Sequence, residues 1–157
     1  MPETPSPRLV TQVMAIDPGS QQSAIVRWNG REVLQHEIMP NGRLRGVNPG
    51  PAVVVIEMLE GRGGIVGQET FDTAVWIGRF MEVFNTRERI YRRVVKMHMC
   101  GTARAKDSHI RLAILDRFPK GNKRDPGPTY GLKADCWQAL ALAITWWDQM
   151  VNDKDRL

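Results

Sequence analysis

The sequence is poor in the residues that build disulfide frameworks and thiol-rich metal sites. Its 157 residues include two cysteines, Cys100 and Cys136, and the first residues contain no apolar stretch of the kind found in secretory signals. No apolar run approaches the length that crosses a bilayer. His98 lies close to Cys100, but no second Cys/His pair completes a tetrahedral zinc site. We therefore expect reduced thiols, no membrane association and a cytoplasmic location.

Two common catalytic patterns are missing as well. The glycine-rich stretch GRGGIVGQ at 61–68 lacks the Lys-Ser/Thr pair with which a P-loop holds nucleotide phosphates. The spacing of serine, histidine and acidic residues does not suggest a Ser-His-Asp triad. We expect no small-molecule cofactor, and the candidate chemistry rests on carboxylates instead.

The composition is that of an ordinary globular chain with an excess of positive charge. It is 42% hydrophobic and 25% charged, with a net charge of +5 and a pI of about 9.6. The length suits one domain with a sizeable core, and the charge favours a polyanionic partner. We predict a Pro-rich disordered tail at 1–8, one domain at 9–150 and a C-terminal tail at 151–157.

Hydrophobic patterning predicts a mixed sheet in an α/β domain. Three strands joined by hairpins come first, with Asn29-Gly30 as a two-residue turn, and strands then alternate with helices. The run AVVVI is rich in β-branched residues, which suits a central strand covered on both faces. The predicted strands are 9–16, 23–28, 31–38, 52–56 and 90–97, and the predicted helices are 69–84, 109–118 and 132–150, with a loop at 39–51.

Three acidic residues lie at the ends of these predicted elements. Asp17 ends the first strand, Glu57 follows the run AVVVI, and Asp135 lies in the first turn of the last helix. Each acid has an ordinary structural explanation. Asp17 suits the start of a Pro-Gly turn, Glu57 suits a strand reaching solvent, and Asp135 suits a helix N-terminus.

The three acids taken together predict a metal site. In open α/β sheets, sites form beyond the strand ends, where loops and helix termini converge. Carboxylates crowded there repel one another, and divalent cations such as Mg²⁺ or Mn²⁺, which prefer oxygen ligands, remove that repulsion. Paired metals about 4 Å apart are a common means of hydrolysing phosphodiesters.

The ordered motifs AIDPGS, VVVIE and ADCWQALALAIT resemble the RuvC-type Holliday junction resolvases of the RNase H-like superfamily, over about residues 10–145. With CGTARAKDSHIRLAILDRF, the chain looks most like the compact bacteriophage versions. The resemblance implies a five-stranded mixed sheet flanked by helices and Mg²⁺-dependent cleavage of branched DNA, with Mn²⁺ as a substitute metal and 5′-phosphate ends as products. It also implies the cytoplasm of a bacterium or a phage-infected host. The alternatives are a non-catalytic branched-DNA-binding or scaffold protein on the same fold, or a broader-range fork and flap nuclease.

The resemblance also assigns roles to individual residues. Asp17 matches the family's first aspartate, Glu57 its strand-end glutamate, and Asp135 the first acid of its terminal helix. Gln138 stands where the family usually has a second acid, so it brings an amide oxygen but no charge. Asp107 is a candidate fourth ligand, with a helix cap as its alternative role. The stretch at 39–51 is too short for the helix that bacterial members place there, which implies a trimmed fold.

Basic residues are concentrated in one quarter of the chain. Residues 86–124 contain twelve of the 22 lysines and arginines, against three acids, which favours contact with DNA phosphates; a solvated basic face is the alternative. Met58 and Leu59 are wedge candidates at the branch point by family position, with core packing as the alternative. The predicted DNA-contacting residues are Arg104, Lys106, Lys133, Met58, Leu59, Arg62, Lys120, Lys123 and Arg124.

The helix predicted at 69–84 is apolar on more faces than one domain core needs. A four-way junction has near two-fold symmetry and needs two symmetric nicks, so we predict a homodimer. Trp76, Phe80 and Phe84 follow one another at helical spacing and are predicted at or near the interface. The alternative is that this helix lies in the centre of the monomer.

Overall fold

A five-stranded mixed sheet forms the centre of the computed structural model, which describes residues 10–61 and 63–154. Its strands are β1 (Val13–Asp17), β2 (Gln22–Trp28), β3 (Val33–Pro40), β4 (Val53–Met58) and β5 (Arg89–Tyr91). They lie in the order β3-β2-β1-β4-β5. The β1–β2 and β2–β3 pairs are antiparallel, whereas the β1–β4 and β4–β5 pairs are parallel. The predicted α/β fold with a five-stranded mixed sheet is confirmed.

Helices cover both faces of this sheet. They are α1 (Asn41–Leu44), α2 (Gln68–Val83), α3 (Arg92–Cys100), α4 (Asp107–Arg117) and α5 (Cys136–Lys154). The α5 core, as we call it, joins residues of α3, α4 and α5 to one face of the sheet. The α2 core joins residues of α1 and α2 to the other face.

The residues of β1 alternate between the two cores, because successive side chains of a strand point to opposite faces. Val13 and Ala15 belong to the α5 core, while Met14 and Ile16 belong to the α2 core. All four side chains are fully buried. A strand covered on both faces has no position for a solvated side chain, which explains the unbroken apolar run before Asp17.

Helix α5 is the most deeply buried helix segment of the domain core. It contacts β1, β2, β3 and β4, and every residue from 139 to 144 is fully buried. It begins at Cys136, later than predicted, and runs to Lys154, four residues into the predicted C-terminal tail. No helix among the described residues is long and apolar enough to span a membrane.

The strand predicted at 90–97 is largely wrong. The chain is extended at Arg89–Tyr91 and turns directly into α3 at Arg92. The β-branched pair Val94-Val95 favoured a strand on local propensity. Packing overrides that preference, because a helix buries Val95 in the α5 core while Arg93 stays exposed. The helix ends at Gly101, whose φ of 73° is left-handed.

Two connections differ from the prediction. The hairpin after β2 has four residues between its strands, and Oδ1 of Asn29 accepts hydrogen bonds from the N–H groups of Arg31 and Glu32. Gly30 has a φ of 95°, and a Cβ there would lie 2.7 Å from Trp147, so glycine fits for two reasons. The predicted loop at 39–51 holds the one-turn helix α1. The predicted tail at 1–8 lies outside the described residues.

Candidate active site

The two strand-end acids leave the sheet at the same edge and on the same face. In the parallel pair of β1 and β4, Ile16 is the register partner of Ile56, so Asp17 and Glu57 are the next residues on adjacent strands. Ala15 and Val55 point into the α5 core, and the acids two positions later point to that same face. Backbone pairing therefore places both carboxylates beside α5.

The third acid, Asp135, comes directly before α5. Its carbonyl oxygen accepts a hydrogen bond from the N–H of Ala139 over 3.0 Å, which makes Asp135 the N-cap residue of the helix. Its side chain is exposed, unlike that of Glu57, which is 7% exposed. Because α5 packs against the face to which the strand-end acids point, Asp135 begins the helix that covers that face.

Electrostatics connect the three acids. Burial raises the pKa of Asp17 well above its ordinary value, and the negative charges of Glu57 and Asp135 raise it further. Arg92 opposes that shift. Asp17 thus lies close enough to both other acids for their negative charges to raise its pKa.

Arg92 lies within this region, and the sequence analysis did not single it out. Its guanidinium donates to Oε1 of Glu57 over 3.2 Å and also donates to Oδ1 of Asp107. Burial raises the pKa of Glu57, and the charge and hydrogen bond of Arg92 work against that rise. The residue was missed because it was placed within a predicted strand, whereas it is the first residue of α3.

Asp107 and Gln138 occupy different positions around the acids. Asp107 is the first residue of α4 and Lys106 is its N-cap residue, so the capping role considered for Asp107 is wrong. The Asp107 carboxylate is exposed and pairs with Arg92. Gln138 is 5% exposed and lies in the first turn of α5, one turn after Asp135.

The turn after Asp17 is fixed by a second set of residues that the sequence analysis missed. Nδ2 of Asn41 donates to the carbonyl of Gly19 over 2.9 Å, and the N–H of Gly19 donates to Oγ of Ser23 over 3.2 Å. A Cβ at position 19 would lie 2.3 Å from the carbonyl oxygen of Gln22, so the turn requires glycine. Asn41 stood in a predicted loop, and no local pattern marks its long-range role.

An open groove of about 670 Å³ runs beside Asp135 and this turn. Oγ of Ser20 donates to Oε1 of Glu69 across it over 3.5 Å, which brings the start of α2 to the edge of the site. The groove is lined by Gly19, Ser20, Gln21, Gln22, Pro40, Glu69 and Asp135.

The predicted DNA-contacting residues fall into three groups. Arg104 and Lys106, directly before α4, and Lys133, before α5, are exposed at the end of the domain that carries the acids. Met58 and Leu59 are half-buried and pack against the α2 core, as the core-packing alternative expected. Arg62 lies outside the described residues. The remaining three, exposed in the connection between α4 and α5, are Lys120, Lys123 and Arg124.

The fold is similar to that of two solved structures from Thermus thermophilus. One is described as Thermus thermophilus RuvC, with a TM-score of 0.63 and 16% identity over 90% of this chain and 96% of that chain. The other is described as T. thermophilus RuvC in complex with Holliday junction substrate, with a TM-score of 0.64 and 13% identity over the same shares. Neither a family model nor a curated protein matches the sequence. The chain therefore has a RuvC-like, RNase H-like fold.

The donor chemistry of the site fits a hard divalent cation such as Mg²⁺. Asp17, Glu57 and Asp135 offer carboxylate oxygens, which Mg²⁺ prefers, and the pKa of Asp17 is raised by burial first and by the charges of Glu57 and Asp135 second. Among the residues that the structure describes, no group of three or more His, Cys, Asp or Glu side chains has the spacing to hold a metal ion. Side-chain movement is therefore needed before these acids share a cation.

Proposed function

We propose that this protein is a Mg²⁺-dependent endonuclease that cuts branched DNA, with Holliday junctions as its substrate. The observation that carries the proposal is the placement of Asp17 and Glu57 at the ends of adjacent parallel strands, with Asp135 at the start of the helix packed beside them. The RuvC-like fold supports this choice, since one structure with that fold is described as a complex with Holliday junction substrate.

The proposed reaction is hydrolysis of a phosphodiester. Water oxygen forms a bond to phosphorus, the bond from phosphorus to the 3′ oxygen breaks, and the leaving oxygen takes a proton, which gives a 5′-phosphate and a 3′-hydroxyl. Two bound cations, Mg²⁺ or Mn²⁺, would supply Lewis acidity, one toward the attacking water and the other toward the leaving oxygen. Asp17, Glu57 and Asp135 would hold the cations, and the amide oxygen of Gln138 would be a neutral ligand beside them.

The exposed basic residues around the acids hold the substrate in this proposal. Arg104, Lys106 and Lys133 precede the helices whose starts surround the acids, so they suit the phosphates on either side of the cut. Lys120, Lys123 and Arg124 extend this positive surface along the connection between α4 and α5. Contacts with phosphates position the DNA backbone on the protein but do not distinguish one base sequence from another.

We also propose a homodimer, although through residues other than those first predicted. Phe80 is fully buried in the α2 core, and Trp76 and Phe84 pack against that core, so this stripe of α2 faces the sheet. Phe71 and Val75 lie on the outer side of the same helix and are 57% and 54% exposed. That exposed apolar stripe suits a two-fold contact, which gives a symmetric junction two active sites.

The test is incubation of the purified protein with labelled four-way, three-way and linear duplex DNA, with and without Mg²⁺. We expect paired symmetric nicks in the four-way junction, in the presence of Mg²⁺ only. Equal cutting of the three-way junction would establish the broader fork and flap nuclease instead. Absence of cutting with any substrate, by protein that binds the junction, would refute the nuclease.

A non-catalytic junction-binding protein is the second candidate. The ion pair between Arg92 and Glu57 and the neutral Gln138 favour it, because both lower the negative charge available to a metal. The same assay separates the two candidates, since a non-catalytic protein would bind the four-way junction in the presence of Mg²⁺ and leave every strand intact.

A further inference from the structure

Arg92 connects three elements around the candidate active site. It is the first residue of α3, and its guanidinium contacts Glu57 on β4 and Asp107 at the start of α4. The side chain of Glu57 is 8% exposed, so its negative charge is held where water solvates it poorly. A cation within hydrogen-bonding distance is the usual means of retaining such a charge, and Arg92 supplies it.

The negative charges around Arg92 stabilise its charged guanidinium between Glu57 and Asp107. Burial alone lowers the pKa of Arg92, but the negative charges of Glu57, Asp107 and Asp17 together raise it. The guanidinium therefore interacts with the strand-end acids and with Asp107. It contacts Oε1 of Glu57, one of the two oxygens through which that carboxylate could bind a cation.

The neighbouring arginine shows that this arrangement is specific. Arg93 is next in sequence, yet Nε of its guanidinium donates to Oε1 of Glu60 over 3.1 Å at the surface. Its side chain is 56% exposed, against 33% for Arg92. Two adjacent arginines of one helix thus have different surroundings, and one of them lies among the acids.

We propose that Arg92 is a resident counter-ion of the active site, which divalent metal must displace from Glu57 before the acids can share a cation. The proposal rests on the metal site of the proposed function. The partly exposed guanidinium has a route to solvent, where it becomes free to contact a DNA phosphate. Arg92 is thus a positioning residue that keeps the metal-free site neutralised and sets the metal concentration at which the site loads.

The test measures metal binding in the absence of DNA. Mn²⁺ affinity of the wild type, Arg92→Gln and Arg93→Gln is determined by calorimetry, with Mn²⁺ as the probe. Removing a unit positive charge beside the ligands favours the metal, so we expect Arg92→Gln to bind Mn²⁺ at least about tenfold more tightly than the wild type. Arg93→Gln removes a charge that pairs with Glu60 at the surface and not with Glu57, so its affinity should match the wild type.

The outcomes separate this proposal from the proposed function. Equal or weaker Mn²⁺ binding by Arg92→Gln, with clear binding by the wild type, would overturn the role of Arg92 and leave the metal site standing. Absence of Mn²⁺ binding by both proteins would overturn the metal site and the role of Arg92 together. Binding by Arg92→Gln alone would support the proposal most strongly.

A measurement on the wild type covers the case in which Arg92→Gln does not fold. The Nε–H resonance of Arg92, assigned through its backbone by NMR, reports on the guanidinium directly. On addition of Mg²⁺ we expect it to move to the position typical of solvent-exposed arginines, while the Arg93 resonance stays in place. An Arg92 resonance that does not move while Mg²⁺ shifts the backbone signals of Asp17 would overturn the displacement.

Discussion

The hydroxyl of Ser23 donates a hydrogen bond to Oδ1 of Asn41 over 2.6 Å, and both side chains are buried. This bond closes a ring of three hydrogen bonds, which we call the circuit, since Asn41 also donates to Gly19 and Gly19 donates back to Ser23. The circuit encloses the turn that follows Asp17. The position of this acid therefore depends on β2 and α1 as well as on its own strand.

Loss of the Ser23 hydroxyl should loosen this turn. Ser23→Ala leaves the buried Oδ1 of Asn41 without its donor, which costs about 1–3 kcal/mol of unfolding free energy. Urea unfolding measures that loss. The matched control is Ser108→Ala, which makes the same substitution at an exposed serine. We expect the control to remain within about 0.5 kcal/mol of the wild type. Equal stabilities of all three proteins would show that the circuit does not stabilise the turn.

The raised pKa of Asp17 predicts a pH-dependent stability. Its folded-state pKa lies above the unfolded value, so the stability that this group contributes is fully present below the unfolded pKa. That stability is lost as the pH rises through the folded-state pKa. At about pH 7, metal-free Asp17→Asn should therefore have a higher melting temperature than the wild type. The increase should be about 2–4 °C for each 1 kcal/mol of unfolding free energy that the substitution regains.

The same reasoning sets the trend of that difference with pH. As the pH falls, the wild-type Asp17 regains its proton and the advantage of Asp17→Asn should shrink. Asp148 works in the opposite direction: burial raises its pKa, but hydrogen bonds from Arg117 and His98 lower it on balance. It is present in both proteins and cancels in the difference. A melting difference that grows toward acid would contradict the assignment to Asp17.

Substitution of the three acids should separate cutting from binding. Asp17→Asn, Glu57→Gln and Asp135→Asn should each lower the rate of junction cleavage by about 100-fold or more, since each removes a charged ligand. Junction affinity should be retained or increased, because a negative charge near the phosphates is removed. Asp116→Asn, an exposed acid of α4, serves as the control and should cut normally. Cleavage by all three variants at the wild-type rate would show that these acids are not ligands of a catalytic metal.

A negative charge introduced at Gln138 should ease metal loading. Gln138→Asp adds a carboxylate one turn after Asp135, so half-maximal cleavage should require several-fold less Mg²⁺. The control is Gln149→Asp, which adds the same charge at an exposed position of the same helix. If both variants keep the wild-type Mg²⁺ requirement, charge at position 138 does not limit metal binding.

The proposed dimer contact can be tested on the outer stripe of α2. Phe71→Glu places a charge on an exposed residue, so it should dissociate the dimer without unfolding the protomer. Light scattering at micromolar concentration gives the mass, and Leu112→Glu on α4, where Leu112 is 58% exposed, is the control. A wild type that is monomeric at this concentration and still makes paired nicks would refute the dimer.

Much of the fold follows from local patterns in the sequence. The apolar run ending at Asp17 and the run AVVVI before Glu57 predicted two central strands, because a strand covered on both faces has no polar position. That same rule located both acids at strand ends. The α5 segment was equally clear, since an alanine-rich apolar run suits a helix packed against a sheet.

The remainder depended on contacts between distant residues. Arg92 reaches Glu57 across 35 positions of sequence, and Asn41 reaches Gly19 across 22. Neither contact leaves a periodic signal. The α2 helix was predicted, but the stripe assigned to the dimer interface, which contains Phe80, faces the sheet instead. Phe71 and Phe80 look alike until the sheet is in place. Local strand propensity likewise led to a wrong prediction for 92–97, which form part of helix α3 because the helix buries Val95.

The parallel pairing of β1 with β4 has a consequence for how such a protein can change. Asp17 and Glu57 are positioned by the backbone pairing of their strands, so the chain that leaves the sheet after Met58 and continues into α2 does not set their separation. Insertions there alter the surroundings of the acids without moving them, whereas one residue added within either strand turns an acid to the opposite face. The register of the two acids and the length of the segment between β4 and α2 can therefore change independently.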